Sequence, residues 1–243
     1  LAKGLVRREV VRLYTPGTLI DTELLSPGES HFLAAVAFSD TTVPSTKGES
    51  VIGLACLDVS TGEFWMTEFQ GARAEVQLMD ELARLEPREL LHPESPTNAG
   101  SCLTRLHGPR LCVQPAASFN PKDATQLLQT QFAVHSLDGF GCRGLSAGIG
   151  AAGAVLRYFR ETQPTASLAH LRRIQTRWSG DAMHLDSATI RNLELVRPSG
   201  AGEQRSGQDQ PTVLSVLDRT ATAMGSRLLR DWLVRPLLNR EAI

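Results

Sequence analysis

Between residues 31 and 69, apolar runs alternate with short polar breaks. "HFLAAVAF" (31–38) and "VIGLACLDVS" (51–60) are apolar runs of strand length. The polar stretch "SDTTVPSTKGES" (39–50) between them reads as a hairpin loop. Thr61-Gly62 turns the chain, and "EFWMTEF" (63–69) returns as a third strand with Phe64, Met66 and Glu68 on one face. The pattern predicts an antiparallel meander. Upstream, "LVRREVVRLY" (5–14) predicts another strand, closed by a Thr-Pro-Gly turn at 15–17.

After residue 70 the period lengthens. Val76, Met79, Leu82, Ala83 and Leu85 recur at helical spacing, and Pro87 stops the run. "RELLHP" (88–93) and "RLCVQP" (110–115) are short strands, with a helical turn over 101–107 between them. Asn120 caps a helix with Pro121 at its first position. Strands in a row, then helix and strand in alternation, predict a mixed α/β sheet covered by helices. "DGFGCRG" (138–144) marks a joint, and "SAGIGAAGAVLRYFRETQ" (146–163) is a small-residue helix ending before Pro164. Beyond a border near 164 strand signals fade. "SLAHLRRIQTRW" (167–178) is amphipathic or extended, and Asp186 caps a helix whose apolar side holds Leu193 and Val196. Residues 197–211 form a polar loop by composition.

The last stretch, "SVLDRTATAMGSRLLRDWLVRPLLNREAI" (215–243), is the most patterned. Val213, Leu214 and Leu217 make a short apolar face, and Thr222 caps the next helix. There Leu228, Leu229, Trp232 and Leu233 form an apolar stripe, with Arg227, Arg230 and Asp231 placed outside. Pro236 ends that helix and Asn239 caps another.

Composition adds less than charge does. With 42% hydrophobic and 21% charged residues, the 243-residue chain is an ordinary globular one, long enough for two domains. It has no apolar run long enough to span a membrane and does not open on a secretory leader, although it starts at Leu1 and not at a Met; a cytoplasmic protein is expected, in keeping with its thiols. Cys56, Cys102, Cys112 and Cys142 form no C-x-x-C pair and predict free thiols. The net charge of −1 hides an asymmetry. Residues 15–150 carry 8 basic and 16 acidic side chains, whereas residues 151–243 carry 13 Arg and 9 acids. The acidic middle is a poor surface for DNA, and the Arg-rich end is either a nucleic-acid face or a solvated helical surface.

Candidate chemistry is sparse. Asp58 ends a central strand and Glu63 is near, as in an RNase H-type metal site, but further strand carboxylates are missing. The main expectation for Asp58 is a turn acid bonding the Thr61–Gly62 backbone; a metal-dependent nuclease using Asp58 is the alternative. No phosphate-binding loop occurs, the six histidines are scattered singly, and the three tryptophans lie far apart. No catalytic, cofactor-binding or metal-ligating residue is assigned.

Taken in order, "RREVVRLYTPGT" (7–18), "GLACLDVSTGEF" (53–64), "DELARLEPRELLHPE" (80–94), "SLDGFG" (136–141), "LDSATIRNLEL" (185–195) and the closing stretch resemble the bacterial MutS family of mismatch-recognition ATPases. The resemblance implies an exit strand and linker (1–24), an RNase H-like α/β connector domain without nuclease chemistry (25–164) and the start of an all-α lever domain (165–243). It implies a non-catalytic piece that couples mismatch binding to ATP-driven clamp conversion and offers a face to a MutL-like partner. Mismatched duplex DNA, ATP with Mg and a homodimer interface belong to the full-length protein, with the ATP site beyond Ile243. "FRE" at 159–161 matches the family's mismatch-sensing Phe-x-Glu only by accident, since Phe159 falls on a buried helix face with Val155 and Leu156. Coupling between domains needs hinges; Gly139, Gly141 and Gly144 are the candidates, with a plain tight turn as the other reading.

Overall fold

The computed structural model describes residues 13–19, 31–39, 50–94, 98–106, 108–178, 180, 182–198, 211–239 and 241. Most of the predicted strand over 5–14 and of the loops 39–50 and 197–211 lies outside them.

The meander forms as predicted. Strands β1 (Phe32–Phe38), β2 (Val51–Asp58) and β3 (Glu63–Gln70) are antiparallel neighbours, with Ala35 opposite Ala55 and Ala55 opposite Met66. β4 (Glu89–Pro93) lies parallel to β1, and β5 (Arg110–Gln114) parallel to β4. The sheet order is β5-β4-β1-β2-β3-β6. The sixth strand falls in the stretch 167–178, which the sequence reads as amphipathic or extended without marking a strand. β6 is only Gln175–Thr176, and it pairs in parallel with Trp65 and Met66 of β3. Two residues are too few for a periodic signal, and the pairing is decided by the free edge of β3.

Helices cover both faces. Leu33, Ala35, Leu57, Phe64 and Met66 point to α3 (Ser146–Thr162), meeting Ala151, Val155 and Phe159, with α2 (Pro121–Phe132) packed beside α3. Phe32, Ala34, Leu54, Cys56 and Trp65 point to α1 (Ala74–Leu85) on the other side. Burial on both faces is why these strands are continuous apolar runs rather than alternating ones. α3 lies very close to β2: a Cβ on Gly53 would stand 2.2 Å from the Ala147 carbonyl carbon. This is the use of the small-residue helix.

Two predicted helix faces are rotated. α1 buries Ala74, Leu78, Leu82 and Leu85, while Val76 and Ala83 are exposed. Leu78, absent from the predicted set, sits at the centre of the true stripe. α4 (Ser187–Asn192) is capped by Asp186, whose carboxylate accepts from Thr189 N at 2.6 Å, but it ends before Leu193, which is exposed, and Leu195 is buried instead. α5 (Val213–Leu217) and α6 (Ala223–Val234) start on Thr212 and Thr222. Asn239 accepts from Glu241 N at 3.0 Å, as a cap should. The Thr15–Thr18 turn forms, and Gln163 Nε2 donates to Leu13 O at 3.1 Å, tying this segment to the end of α3. All four cysteines are free thiols. Among the described residues no helix is long and apolar enough to cross a membrane.

Candidate functional site

The β2–β3 register places Asp58 directly opposite Glu63. Two carboxylates facing each other across a hairpin end repel, so the position needs cations. Asp58 is 1% exposed. Its Oδ1 accepts from Ser60 N at 2.9 Å and from Ser60 Oγ at 2.6 Å. The Thr61–Gly62 turn is closed by the Asp58 backbone carbonyl, which accepts from Gly62 N at 2.9 Å. Asp58 is thus a turn acid, though its side chain holds Ser60 and its main chain holds Gly62. Its Oδ2 faces Arg227 Nη1 of α6 at 3.6 Å, and the same nitrogen donates to Ser60 Oγ at 2.9 Å. The nuclease reading fails here, because this carboxylate is committed to a turn and an arginine. Among the described residues no group of three or more His, Cys, Asp or Glu side chains could hold a metal ion.

Glu63 is held by Arg177, whose Nη2 lies 2.7 Å from Oε1. β6 positions Arg177: the Arg177 N–H donates to Met66 O at 2.8 Å, carrying the β3 pairing one residue further. The guanidinium lies 4.2 Å from the centroid of the Trp65 ring, a cation–π stack in a buried setting. Its second acid is Asp231 of α6, 3.9 Å away. Burial, opposed by Arg177, pushes the Glu63 carboxyl above its usual range. Burial and then the nearby Arg235 lower Arg177, while Asp231 and Glu63 pull the other way. An arginine remains charged through such a shift.

The third contact is at the end of α1. Glu86 sits in the left-handed region at φ 48° and accepts from Arg230 of α6 at 3.0 Å and from Arg197 at 2.9 Å. α6 therefore presents Arg227, Arg230 and Asp231 to the sheet and α1. The sequence pattern placed these three outside; in the structure they form the face turned to the sheet and α1. Leu228 and Trp232 are exposed, at 49% and 62%, and Val234 is the one buried residue of the helix. The physical reason lies in the surface it meets, where Asp58, Glu63 and Glu86 select the cationic face.

The Gly-rich joint is nearby. Gly141 and Gly144 take left-handed φ of +76° and +80°. Gly139 lies in a 3₁₀ turn, Asp138–Phe140, whose last carbonyl accepts from Thr176 Oγ1 of β6 at 2.9 Å. Of the histidines, His170 Nε2 is 3.0 Å from Val59 O and His184 Nε2 is 3.4 Å from Asp80. Trp65 is buried while Trp178 and Trp232 are exposed, so they form no shared platform.

A family model described as MutS domain II matches residues 31–172, and one described as MutS domain III matches residues 188–243. The chain belongs to the MutS family. Its similarity to the DNA mismatch repair protein MutS of Symbiobacterium thermophilum is 42% identity over 246 residues, covering 100% of this chain and 26% of that protein. The MutS of Myxococcus xanthus is 41% identical over 238 residues, covering 96% and 25%. That of Methanosarcina barkeri is 37% identical over 245 residues, covering 100% and 27%. The chain spans about a quarter of the length of these relatives. On the MutS division, Asp58, Glu63 and Glu86 fall in the domain II stretch, and Arg197, Arg227, Arg230 and Asp231 in the domain III stretch. Arg177 lies between the two matches. The ion-pair cluster is thus the seam between two MutS domains. The sequence reading missed these arginines; the one available signal was the charge asymmetry, an acidic middle followed by a third whose every cation is Arg.

Proposed function

We propose that this chain is the non-catalytic connector and early lever of a DNA mismatch-repair MutS protein. It couples mismatch binding to ATP-driven clamp conversion and takes part in recruiting a MutL-like partner. The observation that carries this reading is the seam: α6 meets the domain II stretch through Arg227–Asp58, Arg230–Glu86 and Asp231–Arg177–Glu63, and buries only Val234 of its own residues. Arg227–Asp58 is buried, while the other pairs are partly exposed and contribute little each, about 0–1 kcal/mol. A contact built from them holds a geometry yet lets it change, as a coupling element must. An apolar seam would fuse the domains.

The connector is read as RNase H-like, supported by three antiparallel strands followed by two parallel strands beyond β1. Residues 1–24, 25–164 and 165–243 are read as exit linker, connector and lever. The lever is read as helical, with β6 stapling its entry to the connector sheet. Gly139, Gly141 and Gly144 are the hinge positions, which the left-handed φ values of the latter two and the contact of the turn with β6 support. ATP with Mg, mismatched duplex and homodimerisation belong to the full-length protein, which works in the cytoplasm.

The test uses the full-length protein with Arg227→Glu and Arg230→Glu together. Mismatch-dependent DNA binding is expected to persist while ATP-dependent release from a mismatched duplex slows several-fold. Unchanged release would overturn the coupling role. For the partner, titrating the chain with the N-terminal region of MutL should shift its spectra at micromolar concentration, and no shift at high micromolar concentration counts against a self-sufficient docking face.

A further inference from the structure

The same seam holds a feature that domain coupling does not require. A cavity of about 490 Å³ lies between β3, β6, the end of α1 and α6. Among the described residues its wall carries Arg84, Arg177, Arg227, Arg230 and Arg235 with two acids, Glu63 and Asp231, while Glu81, Asp58 and Glu86 pair with Arg84, Arg227 and Arg230 from beside it, and Arg235 has no acid of its own. Arg84, Arg177 and Arg235 also line an adjoining cavity of about 40 Å³, together with Trp65. These three arginines stand between the two spaces.

Their donors are not used up. Arg84 gives Nη2 to Glu81 at 2.8 Å, and Arg177 gives Nη2 to Glu63 at 2.7 Å. Arg84 Nε, Arg177 Nη1, Arg227 Nε and Arg235 Nε are all buried and have no hydrogen-bond partner among the described residues. Every buried guanidinium nitrogen so left among the described residues belongs to this wall. The fully buried Trp65 adds an unpartnered indole Nε1. Arg84 is itself 8% exposed, while Arg177, Arg227 and Arg235 are half-buried with these particular nitrogens shielded. Burial lowers Arg84 and Arg177 first, and the charge of Arg235 lowers both further, which places the three cations within one field.

Buried donors are normally satisfied. The set here is donor-only: guanidinium and indole N–H groups accept nothing. One water oxygen has two lone pairs and no charge, so it can neither serve them all nor neutralise a guanidinium. An acceptor-only group with several oxygens can, and arginine forks match phosphate geometry.

We propose that this cavity is an oxyanion site that takes a small free phosphate or the phosphate end of a nucleotide, held by Arg84, Arg177 and Arg235. The bound anion ties α1, β6 and the end of α6 together. The site is independent of whether the chain couples mismatch binding to ATP.

The test is calorimetric titration of the chain with inorganic phosphate and with pyrophosphate, against sodium chloride at matched ionic strength. Saturable binding of one anion per chain is expected. Arg235→Gln should weaken it about tenfold or more, the loss of one charge-assisted fork. Arg235 makes no side-chain ion pair within the described residues, so this variant should keep its circular dichroism and melting temperature. Arg235→Lys should fall between the two. Arg110→Gln, exposed on β5 at the opposite sheet edge, should bind as the native chain does. Phosphate heats no different from those of chloride, or Arg235→Gln binding phosphate as tightly as the native chain, would overturn the site. So would duplex DNA binding that depends on Arg235 with no binding of free phosphate, since the arginines would then be reading a nucleic-acid backbone.

Discussion

Arg227 of α6 closes over Asp58 at the end of β2, with Nη1 3.6 Å from Oδ2 and 2.9 Å from the Ser60 hydroxyl that Asp58 itself holds. One guanidinium thus completes the shell of a carboxylate that is 1% exposed. Truncating it leaves Asp58 buried with only the Ser60 donors. Arg227→Ala is expected to cost about 1–3 kcal/mol, the penalty for stranding a buried polar group. Urea unfolding measures it. Paired with Asp58→Asn in a double-mutant cycle, the coupling should be at least about 0.5 kcal/mol, as for residues in contact. Strict additivity would mean that the pair is incidental.

This contact was not legible in the sequence, and the reason is physical. Leu228, Leu229, Trp232 and Leu233 form a proper helical stripe, and a stripe ordinarily faces a core. What decided the orientation of α6 was the surface it meets, set by Asp58, Glu63 and Glu86 far upstream. Periodicity carries no information about a partner distant in the chain. Where the partner is local, the reading worked. The β1–β2–β3 meander follows from apolar runs and the Thr61-Gly62 turn, and the caps at Asn120, Asp186 and Thr222 follow from side chains two or three residues from the amides they accept. β6 and the arginine cavity failed to show for the same reason as α6, because each exists only once distant segments have met.

The small residues of α3 give a sharper case. A Cβ on Gly153 would stand 2.3 Å from Ala124 Cβ of α2, and one on Gly53 would stand 2.3 Å from Ala147 O of α3. Both glycines permit close approach of neighbouring elements, without needing unusual backbone angles. Gly153→Ala and Gly53→Ala should each cost about 1–3 kcal/mol through overpacking, despite the gain in helix or strand propensity. Gly144→Ala meets no neighbour and carries only the strain of its left-handed φ of +80°. Urea midpoints that fall no further for Gly153→Ala than for Gly144→Ala would contradict the packing.

Glu68 gives a pH dependence with a definite sign. Its Oε1 accepts from Gly148 N at 2.9 Å, near the start of α3. Burial nevertheless raises its carboxyl above the ordinary 4.5, outweighing the bonds from Gly148 and Ala147. The folded chain then holds this proton more tightly than the unfolded chain does. The contribution is fully present below pH 4.5 and is lost as pH rises through the raised value. Glutamine keeps the acceptor and removes the titration. Glu68→Gln should therefore gain on the native chain as pH rises from 4.5 toward 7, read as the difference in urea midpoint. A constant difference across that range would refute the shift.

Glu89 is buried completely, and among the described residues it makes no ion pair. Its Oε1 accepts from Tyr158 OH at 2.8 Å and its Oε2 from Gly17 N at 3.1 Å. Burial, then the Glu89 contact, raises the Tyr158 phenol and keeps it a donor. Tyr158→Phe removes one of two donors from a buried carboxylate and should cost about 1.5–3 kcal/mol, the range for hydrogen bonds to charged groups. It should also free residues 13–19, seen as faster exchange of the Gly17 amide. Unchanged exchange at Gly17 would show that the turn is held without Tyr158, through Glu89, Thr162 and Gln163.

The charged seam and the apolar core should separate under salt. α6 is attached through Arg227, Arg230 and Asp231 and leaves Trp232 exposed, whereas β1–β3 are buried on both faces. Salt screens partly exposed pairs, with a Debye length of about 10 Å at 0.1 M falling to about 3 Å at 1 M. It does not weaken apolar burial. Amide exchange in α6 should therefore be faster than in the meander at low salt and should quicken further as sodium chloride rises to about 1 M, while β1–β3 stay protected. Sodium chloride is the right probe, because phosphate or sulfate would itself occupy the arginine cavity and hold α6 down. α6 amides as slow as those of β2 at high salt would mean that apolar contacts, not charge, attach this helix.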